Sequence, residues 1–186
     1  MADLERFIPT ATLNDARVMF RNFSGLPTKF NAEGQRNFCV FLEHDVAEAM
    51  ANDGWPIKYL NPREEGDLPQ AYIKVKVKFG VRPPKLYVIT SRGRTQLDES
   101  MVSMLDWAEF EKVDLILSPY KYDVNGNRGI TAYLQTFFGT IREDELELRY
   151  ANVPDANLES AQNTLVWQES TPQEVEILKM LEIEQA

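Results

Sequence analysis

The chain has 186 residues, 44% of them apolar, and a net charge of −9. Such a length and apolar share suit one domain with a genuine core and exclude a disordered chain. The one cysteine, Cys39, excludes an internal disulfide and a multi-cysteine zinc site, and the one histidine, His44, excludes a metal site built on two or more imidazoles.

In chain order, residues 16–24 predict a strand ending at Gly25, followed by a polar loop to Arg36. Phe38–Glu43 predicts a second strand, apolar on both faces. A short helix is expected over Asp45–Asn52, capped by Asp45 and stopped by Gly54. Residues 61–70, with two prolines, a glycine and three acids, read as loop. Tyr72–Phe79 and Lys85–Thr90 predict a hairpin joined through Gly80, Pro83 and Pro84. Residues 98–110 predict a helix with Met101, Met104, Leu105 and Ala108 on one face. Val113–Asp123 and Arg128–Ile141 predict the last long strands. Short strands with two interposed helices point to a small barrel or sandwich.

The stretch from Lys74 to Arg94 is the chemical signal. It holds seven basic residues, Lys74, Lys76, Lys78, Arg82, Lys85, Arg92 and Arg94, and no acid. The first three alternate with Val75, Val77 and Phe79, the pattern of a strand with one buried and one wet face. One reading is a local anion site suited to a phosphate chain. The other is a solvated face whose lysines blunt a sheet edge.

Asn125-Gly126 marks a two-residue type I′ hairpin. That turn pairs Asp123 with Arg128, Tyr122 with Gly129, Tyr120 with Thr131 and Ser118 with Tyr133, and continues to Ile116 with Gln135 and Leu115 with Thr136. One face is then apolar, and the other carries Tyr120, Tyr122 and Tyr133 among Ser, Thr, Gln and Gly. Exposed rings on a sheet are a platform for base stacking, worth about 1–3 kcal/mol per base; packing of the rings under another element is the alternative. The loop from Arg21 to Phe38 adds Arg21, Lys29, Phe30 and Arg36 around its glycines. Mobile basic and aromatic loops of this kind clamp single strands on barrels.

Catalysis finds little to stand on. Cys39 lies among bulky apolar residues and is expected in the core. Asp123-Val-Asn125-Gly-Asn127 resembles the start of a calcium loop, but Arg128 and Leu134 stand where glycine and glutamate are required. Glu109-Phe-Glu111-Lys112 lacks an identifiable aspartate partner, and no glycine-rich phosphate loop is present. We expect no enzyme, metal or cofactor.

Charge is uneven along the chain. Residues 1–150 carry 19 bases and 22 acids, whereas residues 151–186 carry one lysine and seven acids. Residues 1–150 are therefore read as the binding domain and 151–186 as an acidic tail. Within the tail, Val175, Ile177, Leu178 and Leu181 predict a short amphipathic helix over Gln173–Glu184, and Trp167 could anchor the linker before it. No segment approaches the roughly 18 apolar residues of a membrane span, and no signal peptide precedes the domain, so a soluble intracellular protein is expected.

Taken in order, Arg21-Asn-Phe-Ser-Gly25, Phe30-Asn31, Glu33-Gly-Gln-Arg-Asn-Phe38, Gly54-Trp-Pro-Ile-Lys58, Ala71-Tyr-Ile-Lys-Val-Lys-Val-Lys78, Pro83-Pro-Lys-Leu-Tyr-Val-Ile-Thr90 and Gly129-Ile-Thr-Ala-Tyr-Leu134 resemble a family of bacteriophage single-stranded DNA-binding proteins. The likeness covers roughly residues 18–142 and rests on the order and spacing of these pieces. It implies an OB-type barrel that coats single strands during phage replication or recombination, in the cytoplasm of a bacterial host. It also implies a tail that recruits replication or recombination proteins, although this tail ends Ile183-Glu-Gln-Ala186 without a terminal aromatic.

The expectation is therefore a mainly β protein: an OB-like five-stranded barrel with extra hairpins, two short helices and an acidic C-terminal tail. The basic residues from Lys74 to Arg94 would track phosphates, Arg21, Lys29 and Arg36 would add loop contacts, and Tyr120, Tyr122, Tyr133 and Phe30 would stack. The rival is a structural phage β-sandwich whose aromatic face is a subunit interface.

Overall fold

The computed structural model describes residues 7–154. The chain divides into two units between Leu148 and Arg149, and the described strands all belong to the first. The acidic tail beyond residue 154, with Trp167 and the helix expected over Gln173–Glu184, lies outside the described residues.

The strands are β1 (Ala11–Leu13), β2 (Arg17–Asn22), β3 (Arg36–Leu42), β4 (Lys58–Leu60), β5 (Gln70–Val77), β6 (Lys85–Thr90), β7 (Gly93–Leu97), β8 (Phe110–Val124) and β9 (Asn127–Ile141). They form one sheet ordered β1-β8-β9-β5-β3-β2. Its two ends, β1 and β2, belong to one run of chain, residues 11–22. That run pairs with β8 through β1 and with β3 through β2, and the Ala16 N–H donates to the Val113 carbonyl at 2.7 Å between them. One run of chain thus edges the sheet at both ends. The β2-β3-β5 meander, the parallel step from β5 to β9 and the antiparallel return along β8 give an OB-like five-stranded barrel. The described strands lie in one sheet, whereas a sandwich needs two face to face.

The core follows from the alternation. Ala71, Ile73, Val75 and Val77 of β5 are buried, as are Phe38, Val40 and Leu42 of β3. At the centre Phe23 stacks on Phe38 at 5.1 Å, and Phe137 meets both edge-on at 5.8 and 6.5 Å. One end of the barrel is closed by α1 (His44–Asp53), which buries Ala47 and Met50. At the opposite end Val102 and Leu105 of a 3₁₀ turn (Val102–Asp106) are buried. The Asp106 carboxylate fixes this turn by accepting the N–H groups of Phe23 (2.6 Å) and Ser24 (2.9 Å).

Several local expectations are corrected. β5 and β6 are not a hairpin: both pair with β9, in parallel, so they run in the same direction. The chain leaves the sheet at 78–84 and rejoins the same neighbour. Pro83 and Pro84 cannot donate to a ladder, which suits a detour. The hairpin partner of β6 is β7, a strand without apolar alternation. The helix over 98–110 is only the short 3₁₀ turn, because Asp98 turns the chain by accepting the N–H groups of Ser100 and Met101, and Phe110 already belongs to β8. In α1 the cap position is Glu43 and Asp45 sits in the first turn, while Gly54 ends the helix in the left-handed region at φ 102°. β4 pairs with β5 and was not foreseen. The β8–β9 register holds from the Asn125-Gly126 turn to Leu117 opposite Leu134. There a bulge shifts it: Ile116 faces Thr136, Leu115 faces Phe137, and Gln135 is left exposed. A short second helix, α2 (Glu145–Tyr150), follows β9.

Candidate nucleic-acid interface

The outer face of the barrel follows from strand parity. Val75 and Ala132 are paired and buried, so their neighbours Lys76 and Tyr133, also paired, point outward side by side. Lys76 lies opposite Asn37 on its other flank, and Lys74 lies opposite Cys39. Tyr133 faces Ser118, and its ring meets Tyr120 edge-on at 5.7 Å. Tyr120 is 58% exposed. The parallel step thus joins the basic strand and the tyrosine face, which the sequence holds apart by more than forty residues.

Tyr122 stands differently. Its ring lies against Gly129, where any Cβ would collide with it, and it is half-buried. Gly129 therefore gives the ring a bed on the sheet.

Farther along β9 the face continues. Lys85 lies opposite Thr136 and is exposed. Tyr87 stacks on Phe138 at 4.8 Å, with the Arg94 guanidinium 5.1 Å from the Tyr87 ring. At a strand rise of about 3.3 Å per residue, Tyr133 and Phe138 stand roughly 15 Å apart. Lys78 and Arg82 project from the 78–84 detour, and Arg92 from the β6–β7 turn, all exposed.

The loop residues divide. Arg21 donates to the carbonyls of Leu105 (2.9 Å) and Ala108 (2.6 Å) and lies over Phe110. Arg36 donates to the Phe23 carbonyl, pairs with Glu99 at 2.8 Å and covers Phe79. Both guanidiniums hold the fold together. Lys29 and Phe30 instead stand at the loop tip, Phe30 82% exposed with the Lys29 ammonium 5.8 Å from its ring. The loop is tied along its length, unlike the mobile clamp expected. Buried Asn22 donates to the Leu26 and Gln35 carbonyls, the Gly34 N–H donates to Gly25, and Thr28 and Asn31 form a bridge under the tip.

Sequence reasoning missed part of this face. Phe41 lies outward beside Tyr72, with the Arg17 guanidinium 5.3 Å from its ring. Phe20 meets Phe41 edge-on at 6.1 Å, is 64% exposed and has φ 51°, a left-handed conformation rare for a bulky residue. The available signal was β3 itself, apolar on both faces in a sheet with only one buried side. Cys39 was expected in the core. It lies on the outer face, half-exposed, between Met19 and Lys74. Burial pushes its thiol above the ordinary value, and Lys74 and Lys58 pull it part of the way back.

Among the described residues no three metal-ligating side chains cluster, and no helix is long and apolar enough to cross a membrane. Asp123 of the rejected calcium loop is ion-paired with Arg128 at 2.8 Å. The surface offers aromatic planes interleaved with ammonium and guanidinium groups, the chemistry that holds unpaired bases and their phosphates.

A family model described as "putative phage ssDNA-binding domain" matches residues 4–185. No curated protein matches the chain. Among solved structures, the single-stranded DNA-binding protein from bacteriophage Enc34 in complex with ssDNA is similar, with 11% identity and a TM-score of 0.47, over 73% of this chain and 88% of that one. The single-stranded DNA-binding protein gp2.5 encoded by bacteriophage T7 is similar with 11% identity and a TM-score of 0.38, over 80% of this chain and 96% of that one.

Proposed function

The chain belongs to the phage ssDNA-binding family, and on that premise we propose that it binds and protects single-stranded DNA, with little sequence preference, during phage replication or recombination. The observation that carries this reading is the pairing of Lys76 with Tyr133, which joins a cationic strand to an aromatic one on one outward face. Phosphates would follow Lys74, Lys76, Lys78, Arg82, Lys85, Arg92 and Arg94, with Lys29 at the loop tip. Bases would stack on Tyr120, Tyr133 and Phe30, with Phe20 and Phe41 as additional planes. Arg21, Arg36 and Tyr122 would act by holding the surface in shape. The role is binding without catalysis, metal or cofactor, in the cytoplasm of the bacterial host. Residues 1–150 would form the binding domain. The acidic residues 151–186 would compete with DNA or engage replication or recombination proteins.

The test is a salt titration of binding to labelled single-stranded and duplex oligonucleotides. Single strands are expected to bind more tightly at every salt concentration, because stacking needs unpaired bases. Equal affinity for the two forms would sink the reading. A second readout is Cys39. Its raised thiol should alkylate slowly at neutral pH and faster as the pH climbs past the ordinary thiol value, since only the thiolate reacts. Saturating single strands should slow that alkylation further, because the thiol lies beside Lys74.

A further inference from the structure

From Thr95 to Glu111 the chain carries five acids and no base. Its centre is the 3₁₀ turn, whose period of three eclipses residues i and i+3. Met101, Met104 and Trp107 stand at that period. The Met104 N–H donates to the Met101 carbonyl and the Trp107 N–H to the Met104 carbonyl, both at 3.2 Å. Val102 and Leu105 fill the other side and are buried. Met101, Met104 and Trp107 form one outward ridge: both methionines are 44% exposed and Trp107 is 87% exposed. Val102 and Leu105 are the buried side chains of the turn. A tryptophan almost wholly in water beside two methionines differs from the scattered single apolar residues of an ordinary surface.

The rim of the ridge is acidic. Asp98, Glu99, Glu109 and Glu111 are exposed. The Ser100 hydroxyl, with the N–H groups of Ser100 and Met101, holds the Asp98 carboxyl below its ordinary value. Of the bases near this segment, Arg21 donates to the Leu105 and Ala108 carbonyls, Arg36 pairs with Glu99 and Lys112 pairs with Asp114 at 3.3 Å, while Arg142 borders Glu109 and Glu111.

We propose that the Met101–Met104–Trp107 ridge is a docking surface for a basic amphipathic segment of a protein partner. The partner's apolar side chains would cover the ridge, and its lysines or arginines would meet the acidic rim. Methionine is flexible and polarizable, which suits a surface that moulds to a helix face. The sign of the rim excludes a polyanion, so partner and DNA bind at separate places. The proposal stands whether or not the DNA reading does.

The test uses the full chain and a short labelled amphipathic peptide of leucine and lysine, with a scrambled peptide of the same composition as the measure of charge alone. The amphipathic peptide should bind more tightly than the scrambled one. Trp107→Ser, and separately Glu109→Gln with Glu111→Gln, should weaken it by about tenfold or more, a loss of about 1.4 kcal/mol. These side chains are exposed, so urea unfolding should show the fold intact. Unchanged peptide affinity in Trp107→Ser would overturn the proposal. So would weaker oligonucleotide binding by Trp107→Ser, since that puts the ridge in the DNA path. Self-association of the full chain that disappears in Trp107→Ser would overturn it in favour of a second copy as the occupant.

Discussion

Two adjoining stretches of this chain have opposite charge. Residues 74–94 hold seven bases and no acid, and residues 95–111 hold five acids and no base. The first lies mostly in β5, β6 and β7, on the outer face that also carries Tyr133, Tyr87 and Phe138. The second turns over the end of the barrel, with Val102 and Leu105 inside and Met101, Met104 and Trp107 outside. Neighbours in sequence thus serve different surfaces, because a strand spreads its charges along a sheet whereas a tight turn gathers them at one end. Net charge, at −9, conceals both.

The largest effect expected from breaking this contrast is structural. Asp106 belongs to the acidic stretch, yet its carboxylate accepts two part-buried N–H groups. Asp106→Ala should lower the unfolding free energy by about 2–4 kcal/mol, since both donors lose their partner. Urea unfolding reads this loss. The salt dependence of DNA binding in the folded fraction should be unchanged.

Next come the rings. Tyr133→Ala or Tyr120→Ala should cost about 1–3 kcal/mol of single-strand affinity with no change in salt slope. Tyr122→Ala should reduce stability more than affinity, because that ring is bedded on Gly129. Anisotropy titrations paired with thermal melts distinguish the two behaviours. If Tyr133→Ala loses stability and keeps its affinity, the ring is a packing element and the basic stretch works without it.

The lysines are read by slope. In Lys74→Ala with Lys76→Ala, the dependence of log affinity on log salt should fall by about 0.7 for each phosphate that a lysine no longer neutralises. An unchanged slope in a folded double variant would make this strand a solvated face and leave the contrast without a function.

Smallest of all should be the acids of the second stretch. Glu109→Gln with Glu111→Gln is expected to alter single-strand affinity by less than about 0.5 kcal/mol, as for surface changes remote from a site. A several-fold gain in affinity would mean that these carboxylates repel the bound strand, and the two regions would then share one surface.

What the sequence determined by itself is local. The alternation from Tyr72 to Phe79 specified a strand with lysines outward, because side chains alternate across a pleat whatever the strand pairs with. Asn125-Gly126 set the hairpin register as far as Leu117, because both turn positions adopt positive φ, 52° and 79°, and leave no room for slippage. The family resemblance was legible for the same reason: its pieces are turns and alternating runs.

The tertiary structure decided everything that depends on which strands meet. Nothing in residues 72–90 says that β5 and β6 pair side by side with β9 and not with each other, since apolar alternation marks a face and not a partner. The bulge at Ile116–Leu117 likewise belongs to the pairing of β8 with β9 and not to either strand alone. Arg21 and Arg36 looked like phosphate contacts because a guanidinium serves a carbonyl and a phosphate equally well. Their hydrogen bonds to Leu105, Ala108 and Phe23 exist because the fold brings carbonyls from distant segments within reach. Cys39 reads as core for the opposite reason: hydrophobicity records a preference for burial, and only the tertiary structure determined which apolar side chains, Phe20 and Phe41 among them, were left outside.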